Sequence, residues 1–270
     1  MTKPTLRIAM LNAEIPVPTI TPRYPTFGRI FHSLLSSASH PIHIESTDFN
    51  VLSEAYPPSI DAFDALIISG SAASAYDNLP WIHRLSEFLI DVYQNHPKVK
   101  IFGACFGHQI ICQALLGRYG AKVELDPSGW EIGIRSVSLE PEFQHVLGVK
   151  CGVMRMQFLH ADHVVLPEEL PHTWMSVGKT EHCGVQGVYG EGRVLTLQGH
   201  FEFDRWINRE TVECLFRGVW EEEFIEDVLE RIEGDDDAVS VAGMVVGFLA
   251  GGGGRGDVGS EEDVGLEFDY

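Results

Sequence analysis

Val99-Lys100-Ile101-Phe102-Gly103-Ala104-Cys105-Phe106-Gly107-His108-Gln109-Ile110-Ile111 is the stretch that decides how this chain folds. Its first half is a short apolar run that suits a buried strand. Its second half continues through Ile110, Ile111, Ala114 and Leu115, a spacing that places apolar side chains on one face of a helix. Between the two lies Gly-Ala-Cys-Phe-Gly. A sharp strand-to-helix turn needs small residues on both sides of its apex, because the chain folds back on itself there. The nucleophile elbow of serine hydrolases follows the same logic with Ser at the apex; here the apex is Cys105. Amide N–H groups and the positive end of a helix dipole stabilise a thiolate at such a position.

Upstream, Ala65-Leu66-Ile67-Ile68 is apolar throughout, as in a parallel strand covered on both faces. Ser69-Gly70-Ser71 follows it, and a glycine there lets the backbone approach a reacting carbonyl closely. Residues 6–11 read as the first strand, and residues 42–49 as the second. Residues 14–25 hold four prolines and form a loop where the first β-to-α connection belongs. Such loops border the site of a doubly wound fold, because ligands bind outside the carboxyl ends of its strands. Phe27, Ile30, Phe31, Leu34 and Leu35 have helical spacing, as do Trp81, Ile82, Leu85, Phe88, Leu89 and Val92.

Downstream, residues 117–120 close the elbow helix and strands then dominate: 121–123, 132–137, 153–156, 173–177, 184–189 and 194–197. The last runs into Gln198-Gly199-His200. A helix from Phe203, with Trp206, Ile207, Val212, Leu215 and Phe216 inward, packs back on the sheet. Phe224, Ile225, Val228 and Ile232 mark another, and residues 235–237 cap a last helix carrying Val241, Val245, Val246 and Leu249. The pattern predicts an α/β fold, a central, mostly parallel sheet flanked by helices, with an antiparallel extension. Residues 1–250 form one domain. The glycine-rich acidic tail, 251–270, has too little apolar surface to offset the entropy of ordering and is expected to be disordered.

The net charge is −20, but residues 221–270 carry sixteen acidic and two basic residues, which leaves −6 for the rest. A chain without basic clusters is not built to bind nucleic acid. The longest apolar stretch near the end, 239–250, is too short to span a bilayer. The five cysteines include no C-x-x-C pair, and the N-terminus lacks the apolar run of a signal peptide, so a reducing, cytoplasmic setting is expected. Cys112, Cys151, Cys183 and Cys214 are expected as small buried hydrophobes.

Gly103-Ala104-Cys105-Phe106-Gly107-His108-Gln109 resembles the nucleophile motif of class I (triad-type) glutamine amidotransferases. Gly199-His200-Phe201-Glu202-Phe203, centred some 95 residues on, resembles that family's His-x-Glu motif, with Phe201 where the family usually has Pro. The resemblance spans residues 6–217 and implies the family's flavodoxin-like fold. Cys105 is then the nucleophile and His200, at the end of a different strand, its base. Glu202 accepts a hydrogen bond from the second imidazole nitrogen, as the third member of a triad does. Ser69-Gly70-Ser71 resembles the glycine loop that supplies one oxyanion-hole amide, at Gly70 or Ser71; the amide of Phe106 supplies the other. Gln109 matches the position that holds the glutamyl group, and His108 is expected to be structural or at the rim.

Residues 158–164 resemble a family segment that precedes a Leu-Pro turn, here Leu166-Pro167. His160, Asp162 and His163 are metal-ligating types, but no further ligands stand at a recognisable spacing. They are expected to contact substrate or to be hydrogen-bonded structural residues, with no metal and no cofactor. The single-domain layout resembles the stand-alone, GMP-synthase-like branch, which includes γ-glutamyl peptidases. The function implied is hydrolysis of a γ-glutamyl amide bond, in a small peptide, a conjugate or glutamine, through a γ-glutamyl thioester. Two alternatives stand beside it: a glutaminase subunit that delivers ammonia to a separate synthase partner, and a non-catalytic binding protein that keeps the fold.

Overall fold

The computed structural model describes residues 3–190 and 192–251. The first half runs β1 (Thr5–Asn12), α1 (Phe27–Ala38), β2 (His43–Asn50), β3 (Ala65–Ile68), α2 (Pro80–Asn95), β4 (Lys100–Ala104) and α3 (Phe106–Leu116). Next come β5 (Lys122–Leu125), β6 (Glu131–Leu139), α4 (Pro141–Leu147), β7 (Val153–His160) and β8 (Asp162–Val165). The chain continues through β9 (Trp174–Ser176), β10 (Gly178–Lys179), β11 (Val188–Gly190) and β12 (Val194–Leu197). It ends in α5 (Arg205–Phe216), α6 (Glu222–Ile232) and α7 (Ala238–Leu249).

Seven strands form the main sheet in the order β2-β1-β3-β4-β12-β11-β9. The first five are mutually parallel, and β11 and β9 extend the edge antiparallel. The order of the parallel set is that of a flavodoxin-like sheet, with its direction reversing between β1 and β3. All four residues of β3 are buried, because helices cover both faces. On one face Phe31 and Leu35 of α1 and Val241, Val245 and Leu249 of α7 pack over Met10, Ile67 and Phe102. On the other, Leu85 and Leu89 of α2 and Ile110 and Ile111 of α3 pack over Leu66, Ile68 and Ile101. Each fully buried side chain of this size contributes about 1.5–3 kcal/mol.

Two smaller sheets, β10-β6-β7 and β5-β8, complete the fold, and β7 meets the segment after β12 through a bridge between Gln157 and His200. Ile132 of β6 packs with Val212 of α5 and Ile225, Val228 and Ile232 of α6. No described helix is long and apolar enough to cross a membrane.

Several expectations need correction. Helix α4 was not legible, because seven residues hold too few turns to show a period. The expected strand 173–177 is β9, which joins the edge of the main sheet; β10, immediately after it, turns away to pair with β6. Of the expected 184–189 only Val188 and Tyr189 lie in a paired strand, β11, which runs on to Gly190. At Gly187 an added Cβ would lie 2.1 Å from the Thr196 carbonyl oxygen, so the chain there presses on β12 without a side chain. Helix α5 starts at Arg205, because the Asp204 carboxylate caps it through the Ile207 N–H at 2.8 Å.

Leu215 and Phe224, read as inward, are 44% and 40% exposed. Of the four cysteines read as buried, Cys112 and Cys183 are, but Cys151 and Cys214 are exposed. Cys151 lies in the turn between α4 and β7, and Cys214 on the outer face of α5. Asp237 precedes α7 but gives its carboxylate to the Arg155 amide and guanidinium, at 2.8 and 3.0 Å. Asp236 accepts the Ala238 N–H instead. Of the tail read as disordered, 252–270 lie outside the described residues.

Candidate active site

Cys105 lies between β4 and α3 with φ 51° and ψ −110°. A positive φ is strained for a residue with a Cβ and persists only where the surroundings enforce it. They do so here by close approach. A Cβ on Gly103 would lie 2.4 Å from the carbonyl oxygen of Gly107, and one on Gly107 the same distance from that of Ile68. The two glycines that flank the apex are thus required by backbone contact. The Cys105 N–H donates to the Leu197 carbonyl at 2.9 Å, which ties the elbow to the end of β12.

His200 stands three residues past the end of β12, and its N–H donates to the Gln157 carbonyl at 2.7 Å. Its Nδ1 lies 2.7 Å from Glu202 Oε1, with both side chains buried. Phe201, between them, turns the other way into the core, its ring 5.7 Å from those of Phe31 and Phe102. Alternation along the chain therefore keeps His200 and Glu202 on one side, and Phe201 fills the core in place of the family's Pro. Phe203 stacks on the imidazole at 4.1 Å.

A Cβ on Gly70 would meet His200 Cε1 at 2.8 Å and Cys105 Cβ at 3.6 Å, so Gly70 stands against both. Burial opposes a charge on His200. The Glu202 carboxylate and the Cys105 sulfur outweigh it and raise its pKa to about 10. The geometry thus pairs a thiol with a base that readily holds the thiol's proton.

Gly70, Ser71, Cys105, Gln109 and His200 line one cavity of about 590 Å³. The loop after β1 contributes Glu14, Ile15 and Val17, and the loop after β3 contributes Ser74 and Tyr76. Phe106 offers only its backbone here, since its ring packs against Trp81 in the core. Gln109 has its amide nitrogen committed to the Asp162 carbonyl at 3.1 Å and to Gln198 Oε1 at 3.2 Å. His108 is fully buried, with Nδ1 2.7 Å from Thr196 Oγ1, and burial drives its pKa down to about 3. It belongs to the core and not to the rim.

The opposite wall of the cavity is built around His160 and Asp162. His160 Nδ1 lies 2.9 Å from the Asp162 carbonyl oxygen, and Nε2 lies 3.0 Å from Glu131 Oε2. Glu131 also accepts from Thr180 Oγ1 and Gln186 Nε2, each at 2.7 Å. Burial pushes the Glu131 carboxyl up, but His160 and these donors outweigh it and hold it below its ordinary value. The Asp162 carboxylate accepts Ser74 Oγ at 2.6 Å and Tyr76 Oη at 3.1 Å. His163 points elsewhere, toward Asp126. The three metal-ligating types of residues 160–163 therefore do not converge on one point.

Sequence reasoning missed Glu131, Thr180, Gln186 and Trp130. None belongs to a local motif: Glu131 opens a strand that also carries Arg135, Ser136 and Ser138, so its charge does not stand out. Trp130 and Phe216 line the outer part of the cavity. Their rings stand 5.0 Å apart, and Trp220 stacks on Phe216 at 3.8 Å.

Residues 26–220 match the family model described as glutamine amidotransferase class-I. A glutamine amidotransferase-like protein of Schizosaccharomyces pombe is 34% identical over 255 residues, covering 90% of this chain and 98% of that protein. Gamma-glutamyl peptidase 3 of Arabidopsis thaliana is 28% identical over 217 residues, covering 77% of this chain and 83% of that one. Among solved structures, a glutamine amidotransferase from Thermotoga maritima shares the fold with a TM-score of 0.67 at 16% identity, covering 90% of this chain and 96% of that one. With the family model matched along most of its length, and elbow, sheet order and His-x-Glu segment all in place, the chain belongs to the class I glutamine amidotransferases.

Proposed function

We propose that this chain hydrolyses γ-glutamyl amide bonds with Cys105, His200 and Glu202 as its catalytic residues. The observation that carries the reading is the buried His200–Glu202 pair at 2.7 Å, with His200 set beside Cys105 and Gly70 in the lining of one cavity. His200 takes the Cys105 proton, and the sulfur attacks the γ-carboxamide carbon. The oxyanion is held by the amide of Phe106 and that of Gly70 or Ser71. His200 returns the proton to the departing amine, which leaves a γ-glutamyl thioester. Water, deprotonated by the same imidazole, hydrolyses it to glutamate and regenerates the thiol. Glu202 fixes the tautomer and supports the imidazolium.

The cavity extends past the nucleophile toward Trp130, Phe216 and the exposed Ile15 and Leu125. That apolar space favours a substrate whose leaving amine carries bulk, as in a γ-glutamyl peptide or conjugate, over glutamine, which leaves only ammonia. The similarity to a γ-glutamyl peptidase supports the same choice.

The test is glutamate release by the purified chain from glutamine, γ-glutamyl dipeptides and glutathione conjugates. Release from the peptides or conjugates in preference to glutamine is expected, with Cys105→Ala reduced at least ~10³-fold and folded normally. Equal rates for Cys105→Ala and the unmodified chain would remove the mechanism. Release from glutamine alone would favour a subunit that feeds a synthase.

A further inference from the structure

Asp126, His163 and Cys183 come from three separate segments: the turn after β5, strand β8, and the loop between β10 and β11. One ligand-type atom from each lies within 4.8 Å of the other two. Asp126 and Cys183 are buried, at 4% and 1% exposure. Asp126 Oδ1 accepts the Ser128 N–H at 2.8 Å. Its Oδ2 is buried without any hydrogen bond, although His163 Nδ1 stands 3.3 Å away and His182 Nε2 3.7 Å away. A buried carboxylate oxygen left without a partner carries a full desolvation cost. On the far side of the imidazole, His163 Nε2 is also buried and unpaired, with Glu124 Oε1 at 3.8 Å.

The spacings about Asp126 Oδ2 match a coordination shell, with the Cys183 sulfur within 4.8 Å. Zinc–ligand bonds of about 2.0–2.3 Å place tetrahedral donors about 3.3–3.8 Å apart. Both contacts of Asp126 Oδ2 fall in that range. Carboxylate, imidazole and thiolate together suit zinc or a similar divalent transition metal, and not magnesium or calcium, which take oxygen ligands.

We infer that Asp126, His163 and Cys183, with His182 as the fourth ligand, form a zinc-type metal site separate from the proposed catalytic centre. His182 reaches it by releasing the Gly129 carbonyl, which its Nε2 now meets at 3.2 Å. Binding replaces the Cys183 S–H bond with a sulfur–metal bond, and the proton passes to solvent. Glu124 then orients His163 through Nε2–H, the usual outer partner of a metal-bound imidazole. Four protein ligands leave no open position, so the metal braces and does not catalyse. It clips β8, which carries Asp162, to the loop that carries Thr180, and through Thr180 and Glu131 it fixes His160. Sequence spacing could not reveal the site, because positions 126, 163 and 182–183 become neighbours only through the pairing of β5 with β8 and the fold of the β10–β11 loop.

The full chain, stripped with chelator, is titrated with Zn²⁺ and, separately, with Co²⁺. One equivalent of zinc is expected to bind. Asp126→Asn and Cys183→Ser should each weaken it about 100-fold, whereas Cys105→Ala and Cys214→Ser leave it unchanged. Co²⁺ should give a thiolate-to-metal charge-transfer band that Cys105→Ala keeps and Cys183→Ser loses. Zinc at about a hundredfold excess over Kd should raise Tm by roughly 5–10 °C. No stoichiometric binding, binding unaltered in Asp126→Asn and Cys183→Ser, or a cobalt band that vanishes in Cys105→Ala would each overturn the inference. If Cys183→Ser does not fold, Asp126→Asn and the cobalt spectrum of Cys105→Ala still decide it.

Discussion

The two walls of the cavity are made in different ways. The wall that carries Cys105 is the edge of the parallel sheet: β3, β4 and β12 end side by side, and each delivers one part of the site within a residue or three of its last paired position. The wall that carries His160 and Asp162 is assembled from small antiparallel sheets and loops, with Glu131, Thr180 and Gln186 reaching it from different segments. The first wall is fixed by core packing and close backbone contact. The second is fixed by a network of polar side chains. The difference teaches that the position of Cys105 comes from the sheet, whereas the shape of the cavity around it comes from the pieces attached to the sheet.

The same contrast appears between two buried histidines. His200 faces a carboxylate and its pKa rises to about 10; His108 faces the Thr196 hydroxyl and the Cys112 sulfur, and burial, helped by the nearby His160, drives its pKa down to about 3. Burial alone penalises the cation in both. A charged partner decides which histidine can carry a proton at neutral pH, and only the one on the sheet edge has it.

If the sheet wall sets the chemistry, Glu202→Gln should lower kcat by about 10²–10⁴-fold in steady-state assays while Tm stays nearly unchanged. Full activity would mean that His200 is oriented by something else. Gly103→Ala tests whether the elbow is held by backbone contact. Its Cβ would press on the Gly107 carbonyl and on Ile111 Cδ1, at 2.4 and 2.6 Å. A loss of about 3 kcal/mol in denaturant unfolding is expected, equivalent to a Tm lower by roughly 6–12 °C. A neutral substitution would show that the turn has room to relax.

The outer wall should respond in specificity instead. Trp130→Ala is expected to lower kcat/KM about tenfold for γ-glutamyl substrates with bulky apolar leaving groups, and to spare glutamine. An equal loss on both would place Trp130 in support of the chemistry.

A buried histidine away from the cavity sets the acid stability. His108 has a folded pKa below its unfolded value, so the unfolded chain takes up a proton first as pH falls from about 6.5 toward 3. Its contribution to stability is present above pH 6.5 and declines by at most about 1.4 kcal/mol per pH unit across that window. His108→Gln should flatten the dependence by one proton in urea unfolding at several pH values, and an identical slope would remove the argument.

Much of the sheet wall was legible in the sequence. Gly103, Cys105 and Gly107 form a local pattern, and continuous apolar runs mark the parallel strands, because a strand covered on both faces has no polar side to show. The antiparallel part was less so. Strands β9, β10 and β11 have three, two and three residues, too few to display alternation, and their pairing depends on partners far along the chain. Exposure also escaped: Cys151, Cys214, Leu215 and Phe224 are apolar by type but face outward.

By itself the sequence determined the order of the parallel strands' elements, the elbow at Cys105, and the residue types that stand at its carboxyl edge, because each is encoded within one turn or one strand. Only the tertiary structure decided that Phe201 fills the core while His200 stands against Cys105 with Glu202 on its Nδ1. It alone joined Glu131 to His160, and Asp126 to His163 and Cys183. Those groupings arise where segments tens of residues apart are brought together by packing, and no local spacing records a contact that the fold makes.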